Sequence, residues 1–403
     1  MGTSDNEVIA IDLGNTASRA FLIRNGQVVD QLIEPNGGVR AIREKYSLTR
    51  PKKLDALECE TSLEQTTRAR YKLELQAYNH RKALAYAGEL HSRIDMWLKD
   101  RAAKIPVVMC GAVGSREGWY FVGYQDCPAD VTNLPLQRIP KNYLGAFEGH
   151  DVYIVKGINA MHPSESHFFR YGRRRLEISG SHQSIMRGEE TKAAGVYDRL
   201  PKPEYRSPAA EGNLICMPGT HSQWVAMCGS IIKTIWTIPA GEMFSILSGE
   251  GSSYHEIVRD RSDDKGKRLQ SFYSGVRLVR SQPDRFLTSL FSVRASAMTR
   301  RDTQASNFDY LSGMLIGREV LEGIDVFGRS RPVTLLVGSD FKAECYRRTF
   351  EYLGYTPQQV LDADQMSLEG LRRISERLLG PKAARNKNHQ PGKKHRVPLA
   401  VCK

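Results

Sequence analysis

The sequence lacks the long apolar segments of membrane proteins and the leader of secreted ones. No apolar run among its 403 residues approaches the ~20 residues that a membrane-spanning helix needs. Its first residues, MGTSDNEVIA, contain neither the basic region nor the apolar core of a signal peptide. Asn6 also stands where a myristoylation signal requires Ser or Thr. We therefore expect a cytoplasmic protein.

Cysteine-based sites and a Walker loop are also lacking. The seven cysteines are an odd number and none belongs to a Cys-x-x-Cys pair, which argues against a disulfide framework or a zinc knuckle. Cys110 and Cys216 lie in apolar runs, where a thiol behaves as a small hydrophobic group. His162 and His167 flank a Pro-Ser-Glu-Ser segment, which a solvated loop explains better than a metal site. Without a Walker loop, any nucleotide phosphates must be held in another way.

The surplus of positive charge is concentrated at the C-terminal end. The net charge is +13, and seven positive charges fall in residues 381–403, which contain no acid. Subtracting these seven leaves +6, an ordinary value for a protein that handles anionic substrates. Residues 381–403 are rich in Pro, Gly, Asn and Lys, so we predict a basic disordered tail. Aromatic platforms and known nucleic-acid motifs are missing, so nucleic-acid binding is not expected.

Three apolar runs near the N-terminus predict an antiparallel meander. The runs Val8–Ile11, Ala20–Ile23 and Val28–Ile33 are short enough to be strands. A Gly/Thr turn separates the first two runs, and Asn25-Gly26, a dipeptide typical of tight hairpins, separates the last two.

The same pattern occurs in the second half of the chain. The runs Leu214–Met217, Trp224–Met227 and Ile231–Ile238 are separated by turns at 218–222 and 229–230. A turn rich in Gly, Thr and Ser between two strands can direct several backbone N–H groups at one anion. The two similar meanders indicate a duplicated domain whose halves face a shared cleft.

The rest of the sequence alternates between predicted helices and strands, in a chain long enough for two domains. Apolar residues at helical spacing predict a long amphipathic helix at 71–98, with Gly88 as its weak point. A buried strand at 105–109 runs into a Gly-rich loop, the kind of place where open α/β sheets bind ligands. Residues 159–183 are predicted to be a basic loop or insertion. The other predicted elements are strands at 152–155 and 332–337, a helical segment at 253–300, and helices at 310–321, 341–352 (capped by Asp340) and 366–379.

Glu189 and Glu190 follow Gly188 and open a short helix-forming run. A carboxylate upstream of a phosphate-binding turn could serve as a general base. Two solvated acids stabilised by the helix macrodipole are the simpler alternative.

The order of the turns resembles that of the nucleotide contacts in the actin-like ATPase and sugar-kinase superfamily. The turns are Asp12-x-Gly14-x-Thr16, residues 218–222 and Gly338-Ser339. More specifically, the chain resembles the 2-dehydro-3-deoxygalactonokinase family over residues 8 to about 375. The blocks that carry this resemblance are IDLGNTASRA (11–20), VVMCGAVGSREGW (107–119), IMRGEET (185–191), CMPGTHSQWV (216–225), AGEMFSILS (240–248), FSVRAS (291–296), LSGMLIGREV (311–320) and LLVGSDF (335–341).

The resemblance implies an α/β protein of two ribonuclease H-like domains, as in the actin-like ATPases, with a central nucleotide cleft. The N-terminal domain is predicted at 1–184, with a helical insert at about 43–100 and a loop insert at about 159–183. The C-terminal domain is predicted at 185–380, followed by the tail. Residues 43–75 and 159–183 are longer than the family needs, and Leu13 stands where Trp is expected. These departures leave the substrate more open than the kinase activity.

The resemblance also implies sites for ATP and Mg²⁺. Asp12 is expected to hold Mg²⁺ and to belong to the catalytic group, with turn capping as its alternative role. The other expected nucleotide ligands have hairpin turns, helix caps or tight helix packing as competing explanations. They are Gly14, Asn15, Thr16, Gly219, Thr220, His221, Ser222, Gly313, Gly317, Gly338 and Ser339.

Carboxylates at the corresponding position of related sugar kinases accept the proton of the attacking hydroxyl. Glu189 or Glu190 is therefore expected to be the base, with the other acid paired to Arg187 or Arg19. An Arg would bind the carboxylate of a sugar acid best, and a Trp could stack on the sugar. Structural ion pairs and a core tryptophan are the alternatives. The candidate substrate ligands are Ser115, Arg116, Trp119, Arg187 and Arg294.

The implied activity is ATP-dependent phosphorylation of 2-dehydro-3-deoxy-D-galactonate at its terminal 6-hydroxyl. One alternative is a kinase for another sugar acid or sugar. A second is a nucleotide-driven sensor or scaffold of the actin-like superfamily, against which the paired acids and the Arg-bearing blocks argue. The expected partners are the sugar acid and ATP, without a membrane, in a chain that could form a homo-oligomer.

Overall fold

The structure, a computed structural model, describes most of the chain as strands and helices. The described residues are 6–50, 65–99, 104–163, 167–171, 174–178, 181–202, 212–252, 254, 265–299, 304–338 and 341–380. The predicted basic tail at 381–403 lies outside these ranges, as do Ser339 and Asp340. Among the described helices, none is both long and apolar enough to cross a membrane.

Groups of successive strands and groups of successive helices follow one another along the chain. In chain order the strands are β1 (Glu7–Leu13), β2 (Ser18–Arg24), β3 (Gln27–Glu34), β4 (Val107–Gly111), β5 (Tyr124–Asp126), β6 (Ala129–Asp130), β7 (Leu136–Arg138), β8 (Val152–Val155), β9 (Gly157–Pro163), β10 (His167–Tyr171), β11 (Arg174–Ile178), β12 (Ser181–Met186), β13 (Asn213–Met217), β14 (Ser222–Cys228), β15 (Ile231–Ile238), β16 (Val333–Val337) and β17 (Gln359–Asp362). The helices are α1 (Val39–Lys45), α2 (Gln65–Leu98), α3 (Glu189–Val196), α4 (Ala240–Ser248), α5 (Lys265–Ser281), α6 (Phe286–Thr299), α7 (Gln304–Phe327), α8 (Phe341–Tyr352) and α9 (Ala363–Leu379).

Both predicted meanders are confirmed, and each is the start of a larger sheet. In the first sheet β3, β2 and β1 are antiparallel neighbours, and β4 and β8 follow as parallel strands. In the second sheet β15, β14 and β13 are antiparallel neighbours, and β16 and β17 follow as parallel strands. The two sheets therefore share one strand order, and the predicted duplication of an α/β unit is confirmed.

The helices agree with the apolar spacing of the sequence. The predicted helix at 71–98 is α2, which begins six residues earlier, and the predicted helices at 310–321, 341–352 and 366–379 fall within α7, α8 and α9. The described part of the predicted helical segment at 253–300 contains α5 and α6. Gly88 lies exposed in the middle of α2.

The prediction of a loop at 159–183 is wrong. This segment contains β9 to β12: β9 pairs with β12 and with β5, and β10 pairs with β11 in a separate hairpin. Its many basic residues suggested a loop, but a basic composition does not exclude strands. His162 lies in β9, with its Nε2 atom 2.8 Å from the carbonyl oxygen of Ile235.

Two elements connect the halves. The short strand β6 joins the edge of the second sheet through β15, and α9 packs across onto α3 and β1. Glycines allow the close crossing of α3 and α9, since a Cβ atom on Gly370 would overlap the carbonyl oxygen of Thr191. The predicted domain limits, 184 and 185, fall inside β12 and remain a prediction.

Three of the described cysteines, Cys110, Cys127 and Cys216, are free thiols. Cys110 and Cys216 are buried in the core, as their apolar runs indicated, and Cys345 is buried as well. Cys228 is disulfide-bonded, which the sequence did not predict.

Candidate active site

The turns that leave β1 and β13 meet at one cavity between the two halves. This cavity has a volume of about 620 Å³ and receives residues of both sheets and of α3. We call it the central cavity. Among the residues singled out in the sequence, those that line it are Asp12, Gly14, Asn15, Thr16, Ser115, Arg187, Glu189, Thr220 and His221.

Asp12 lies near the end of β1, with its carboxylate held from two sides. Its Oδ2 atom accepts a hydrogen bond of 2.7 Å from the Ser367 hydroxyl of α9 and lies 3.8 Å from Nη1 of Arg19. Arg19 in turn contacts Asp364 of α9 at 2.7 Å. The start of α9 therefore fixes the orientation of a carboxylate that borders the cavity.

The residues Gly14, Asn15 and Thr16 form a turn that α1 holds in place. The carbonyl oxygens of Gly14 and Asn15 accept hydrogen bonds of 2.9 and 3.0 Å from the first backbone N–H groups of α1. Gly38 comes so close to this turn that a Cβ atom on it would lie 2.5 Å from the Asn15 carbonyl group. The turn therefore has little freedom, and it presents Asn15 and Thr16 to the cavity as exposed residues.

Glu189 and Glu190 begin α3, as predicted, but their carboxyl groups lie in different surroundings. Gly188 precedes them with φ of 106°, a left-handed conformation that few residues other than glycine adopt. Glu189 lines the central cavity and accepts a 3.0 Å hydrogen bond from the backbone N–H of Arg187. An ion pair between one of these acids and Arg187 or Arg19 was expected. Glu189 instead contacts the main chain of Arg187, and the guanidinium of Arg19 contacts Asp12 and Asp364.

Glu190 lies completely inside the protein. Its Oε2 atom accepts a 2.7 Å hydrogen bond from the Gly188 N–H, and its Oε1 atom has no hydrogen-bond partner within the described ranges. Burial, followed by the nearby charge of Glu189, raises the pKa of Glu190 to about 8. Most molecules therefore carry this carboxyl in its neutral form at pH 7.

Arg187 borders the central cavity with its guanidinium stacked on aromatic rings. Its Cζ atom lies 4.4 Å from the ring centroid of Tyr124 and 5.8 Å from that of Phe121. Nη2 donates a 2.7 Å hydrogen bond to the Val122 carbonyl, whereas the buried Nε and Nη1 atoms have no partner among the described residues. Lys192, one helical turn after Glu189, lines the same cavity.

The turn at 218–222 divides its residues between the cavity and the core. Thr220 and His221 are exposed at the central cavity, and Nε2 of His221 lies 2.9 Å from a carboxylate oxygen of Glu242. Ser222, in contrast, is fully buried and donates a 3.0 Å hydrogen bond to Glu319. The structure therefore places Ser222 behind the turn, away from the position expected for a phosphate ligand.

A second cavity continues from the same turn into the C-terminal half. It has a volume of about 380 Å³, and Gly219 and Thr220 are among the residues that line it. We call it the aromatic cavity because Phe244, Phe308 and Phe341 contribute to its wall. Phe244 and Phe308 meet edge to face with their ring centroids 4.8 Å apart.

Polar groups complete the wall of the aromatic cavity. Arg268 and Asp309 form a nearly buried ion pair of 3.2 Å. Lys342 lies 3.5 Å from the Gly219 carbonyl oxygen and also lines the cavity. Apolar and aromatic walls with a few polar groups are typical of cofactor pockets.

Several predicted ligands lie elsewhere in the molecule. Trp119 is a core residue, since it is 1% exposed and its indole N–H donates a 3.0 Å hydrogen bond to the Tyr143 carbonyl. Arg116 is exposed outside both cavity walls, and Arg294 lies half-buried on α6, also outside them. Their family blocks identified the region but could not show which way each side chain points.

Gly313, Gly317 and Gly338, three of the expected nucleotide ligands, also lie outside the walls of both cavities. A Cβ atom on Gly313 would overlap the carbonyl oxygen of Phe272, and one on Gly317 would lie 2.8 Å from Val279. Both partners belong to α5, so the geometry supports the alternative of tight helix packing. Gly338 is exposed at the end of β16 with open space around it, and its neighbour Ser339 lies outside the described residues.

Other residues of the site carried little sequence signal. Lys192 and Lys342 are helix-borne lysines at the two cavities, and Ser367 reaches Asp12 from a distant part of the chain. The spacing of Lys192 from Glu189 could have revealed a shared helix face. Only the folded chain brings Ser367 and Asp12 together.

Two duplicated α/β halves, with a turn from each and an acid between them, form the kind of site that transfers phosphoryl groups from a nucleotide by positioning its phosphates. The family model described as 2-keto-3-deoxy-galactonokinase matches residues 12–374. A match over most of the sequence shows that the chain belongs to this family. The predicted resemblance and the predicted kinase class are confirmed.

Relatives of known sequence and structure agree with this assignment. A protein of Rhizobium meliloti (strain 1021) assigned as 2-dehydro-3-deoxygalactonokinase is 29% identical over 271 residues, which are 67% of this chain and 77% of that protein. The 2-dehydro-3-deoxygalactonokinase of Escherichia coli (strain K12) is 27% identical over 275 residues, which are 68% of this chain and 80% of that protein. A crystal structure assigned to the same activity, from Sinorhizobium meliloti, has a TM-score of 0.65 at 23% identity and covers 93% of this chain and 99% of its own. The likeness to that structure shows a common fold and confirms the predicted fold class.

Proposed function

We propose that this kinase transfers the γ-phosphoryl group of ATP to the 6-hydroxyl of 2-dehydro-3-deoxy-D-galactonate. Family membership supports the use of ATP and of a sugar acid. The observation that carries the assignment of roles is that the aromatic cavity and the central cavity share Thr220 as a lining residue. A nucleotide with its base in the aromatic cavity would reach the central cavity with its phosphates.

The two turns would bind the phosphates from opposite sides of the cleft. Thr220 lines both cavities beside Gly219, and Asn15 and Thr16 of the other turn also line the central cavity. Backbone N–H groups in such turns bind anions well. Lys342, beside Gly219, adds a positive charge to the wall of the aromatic cavity.

Asp12 fits the role of a Mg²⁺ ligand. Among the described residues, no group of three or more His, Cys, Asp or Glu residues could hold a metal ion with protein ligands alone. Mg²⁺ is commonly held by one or two carboxylates, water and substrate phosphates, and when bound it neutralises phosphate charge. Asp12 would supply that carboxylate, oriented by Ser367.

Glu189 is the general base in this proposal. It lines the central cavity at the start of a short helix, whereas Glu190 is buried and held mainly neutral. A base must be ionised and able to reach the hydroxyl whose proton it accepts. Only Glu189 of this pair borders the space in which the sugar acid would lie.

Positive charge around the central cavity suits an acidic substrate. Arg19, Arg187 and Lys192 line the cavity together with the two carboxylates of Asp12 and Glu189. Among the arginines predicted to bind the substrate carboxylate, only Arg187 lines this cavity. We assign it this role, with its stacking on Tyr124 fixing the plane of the guanidinium.

A substrate panel tests the proposed function. Initial rates of ADP formation with Mg-ATP would be compared for 2-dehydro-3-deoxygalactonate, its 2-dehydro-3-deoxygluconate epimer and uncharged hexoses. We expect the galactonate derivative to have the highest kcat/KM and the hexoses to be poor substrates. A higher kcat/KM for an uncharged hexose would contradict the sugar-acid assignment.

Variants of the arginines test the carboxylate site. Arg187→Met should raise the KM of the sugar acid about tenfold or more, because a charge-assisted hydrogen bond contributes about 1.5–3 kcal/mol. Arg116→Met and Arg294→Met are matched controls that lie outside the cavity walls, and their KM values should stay near that of the unmodified enzyme. An equal effect in all three variants would refute the assignment of Arg187.

A further inference from the structure

A buried carboxyl group lies directly behind the turn at 218–222. Glu319 of α7 is 1% exposed, yet its Oε2 atom accepts two hydrogen bonds. The donors are the Ser222 hydroxyl at 3.0 Å and the Tyr346 hydroxyl at 2.6 Å. Burying a carboxyl group is unfavourable, and the two donors to Oε2 offset part of this cost, since Oε1 is buried without a hydrogen-bond partner among the described residues.

The contact with Glu319 determines what Ser222 can do. A serine hydroxyl has one proton, and in this arrangement Ser222 donates it to Glu319. Its oxygen then accepts a 3.3 Å hydrogen bond from the Gly219 N–H and so closes the turn. Glu319 is thereby connected to Gly219 through one intervening side chain.

Neighbouring elements leave the turn little room to adopt another shape. A Cβ atom on Gly241, at the start of α4, would overlap the Gly219 carbonyl oxygen and lie 3.0 Å from Cα of Thr220. On the other side Tyr346 of α8 donates to Glu319 and lines the aromatic cavity. Glu319 thus links α7, α8 and the turn at the point where the two cavities meet.

We propose that Glu319 is a positioning residue for nucleotide binding, acting through Ser222 and Tyr346 to hold the 218–222 turn in its phosphate-binding conformation. This inference rests on the proposed placement of the nucleotide at Gly219 and Thr220. Glu319 itself lies in the second layer behind the turn, where it contacts the side chains that shape the site. Its removal should therefore weaken ATP binding and leave the sugar-acid side of the cleft largely unaffected.

Steady-state kinetics and direct binding would separate this role from a general structural one. The variants are Glu319→Ala, Ser222→Ala and the double variant, each assayed for the KM of ATP, the KM of the sugar acid and the Kd of a non-hydrolysable ATP analogue. Glu319→Ala and Ser222→Ala should each weaken ATP binding about tenfold, the equivalent of one lost hydrogen bond. The double variant should weaken ATP binding by less than the product of the two single effects, because both changes break the connection between Glu319 and Ser222.

A conservative variant and a remote control complete the test. Glu319→Gln keeps an oxygen that accepts from Ser222 and Tyr346, so its Kd for the ATP analogue should lie within about threefold of that of the unmodified enzyme. If Glu319→Ala does not fold, Ser222→Ala still breaks the connection to Gly219 and keeps the test available. Glu89→Gln changes a mostly buried acid of the first half, which pairs with Lys45 and Arg93, and should leave the Kd unchanged.

Two results would overturn the proposal. Additive losses in the double variant would show that Glu319 and Ser222 act independently. Equal losses in the binding of ATP and of the sugar acid would show that Glu319 only supports the fold. Because the binding of the ATP analogue needs no sugar acid, a wrong substrate in the proposed function would leave the expected difference in Kd intact.

Discussion

Glu189 and Glu190 are adjacent in sequence but face different environments, so equivalent substitutions should have different effects. Glu189→Gln should lower kcat by about 10²- to 10⁴-fold, the usual contribution of a general base. Glu190→Gln should keep most of the turnover, because it replaces a buried and largely neutral carboxyl with a neutral amide of similar shape. A coupled assay of ADP formation measures both values.

Binding of the ATP analogue is the control for this pair, since both variants should bind it like the unmodified enzyme. If Glu190→Gln lost more turnover than Glu189→Gln, the assignment of the base would have to be exchanged between the two acids.

The hydrogen bond from Ser367 to Asp12 leads to a second residue-scale prediction. Ser367→Ala removes the donor that orients the Asp12 carboxylate, so the Mg²⁺ concentration for half-maximal activity should rise up to about tenfold. A titration of initial rate against Mg²⁺ at saturating ATP measures the shift.

Ser375→Ala is a matched control on the same helix. Its buried hydroxyl has no hydrogen-bond partner among the described residues, so its loss should not change the Mg²⁺ requirement. If both serine variants shifted the titration equally, the effect would come from α9 as a whole and the link to Asp12 would be refuted.

Individual residues show how far a local sequence pattern indicates the position of a side chain in the fold. Asp12, Thr220 and Glu189 lie next to turns and helix starts, whose local patterns identify them, and all three line the central cavity. Whether Trp119 points into the cleft or into the core depends on tertiary packing, which no local pattern reveals. The contact of Ser367 with Asp12 joins residues 355 positions apart and has no local signal.

At the scale of elements, the periodicity of side chains decided which predictions were correct. The meanders and α2 combine regular apolar spacing with recognisable turns, and they are confirmed. Residues 159–183 have few apolar side chains, so their composition suggested a loop although they form strands. Composition alone is therefore a weak guide to whether a segment forms strands.

Replacing a glycine by alanine should change the free energy of unfolding in opposite directions at two places, the crossing of α3 with α9 and the middle of α2. Gly370→Ala should lower the free energy of unfolding by about 1–3 kcal/mol, because the added Cβ would overlap the Thr191 backbone. Gly88→Ala should raise it by about 0.5–1 kcal/mol, since this glycine is exposed within a helix and has nothing within 4 Å of the added atom. Urea denaturation measures both values.

Enzyme activity gives an independent check on the helix crossing. Because α3 carries Glu189, Gly370→Ala should also lower kcat, whereas Gly88→Ala should leave kcat unchanged. A Gly370→Ala variant as stable and active as the unmodified enzyme would show that the two helices can move apart without consequence.

At the scale of the whole molecule, the duplication was predictable and the connections between the halves were not. Each half contains the same turn-bearing meander, which is visible as two similar series of apolar runs. The strand β6 and the helix α9, which pack across to the other half, are ordinary in sequence. They stabilise the arrangement that brings Asp12 and Thr220 to one cavity.

The buried acids predict how the stability of the folded protein depends on pH. Burial raises the pKa of Glu190 to about 8, with a contribution from the charge of Glu189, and burial raises the pKa of Glu319 to about 7, each from an ordinary value of 4.5. Between about pH 4.5 and 8 the folded protein therefore binds more protons than the unfolded chain. Stability contributed by these groups is present at low pH and is lost as the pH rises through this range. Thermal unfolding midpoints measured from pH 5 to pH 8.5 should fall accordingly.

Substitution by glutamine assigns the pH dependence to particular groups. Glu190→Gln and Glu319→Gln place a permanently neutral group at each position, so each variant should flatten the decline in the unfolding midpoint between pH 5 and pH 8.5. Glu89→Gln is the control, because the pKa of Glu89 is shifted in the opposite direction. Burial acts to raise this pKa, but hydrogen bonds from Lys45, Arg93 and Tyr46 outweigh burial and lower it. Its stabilising effect is lost as the pH falls, so this variant should not flatten the decline toward pH 8.5. An unchanged decline in both the Glu190 and the Glu319 variants would mean that these carboxyls are solvated in the folded protein, in conflict with their complete burial.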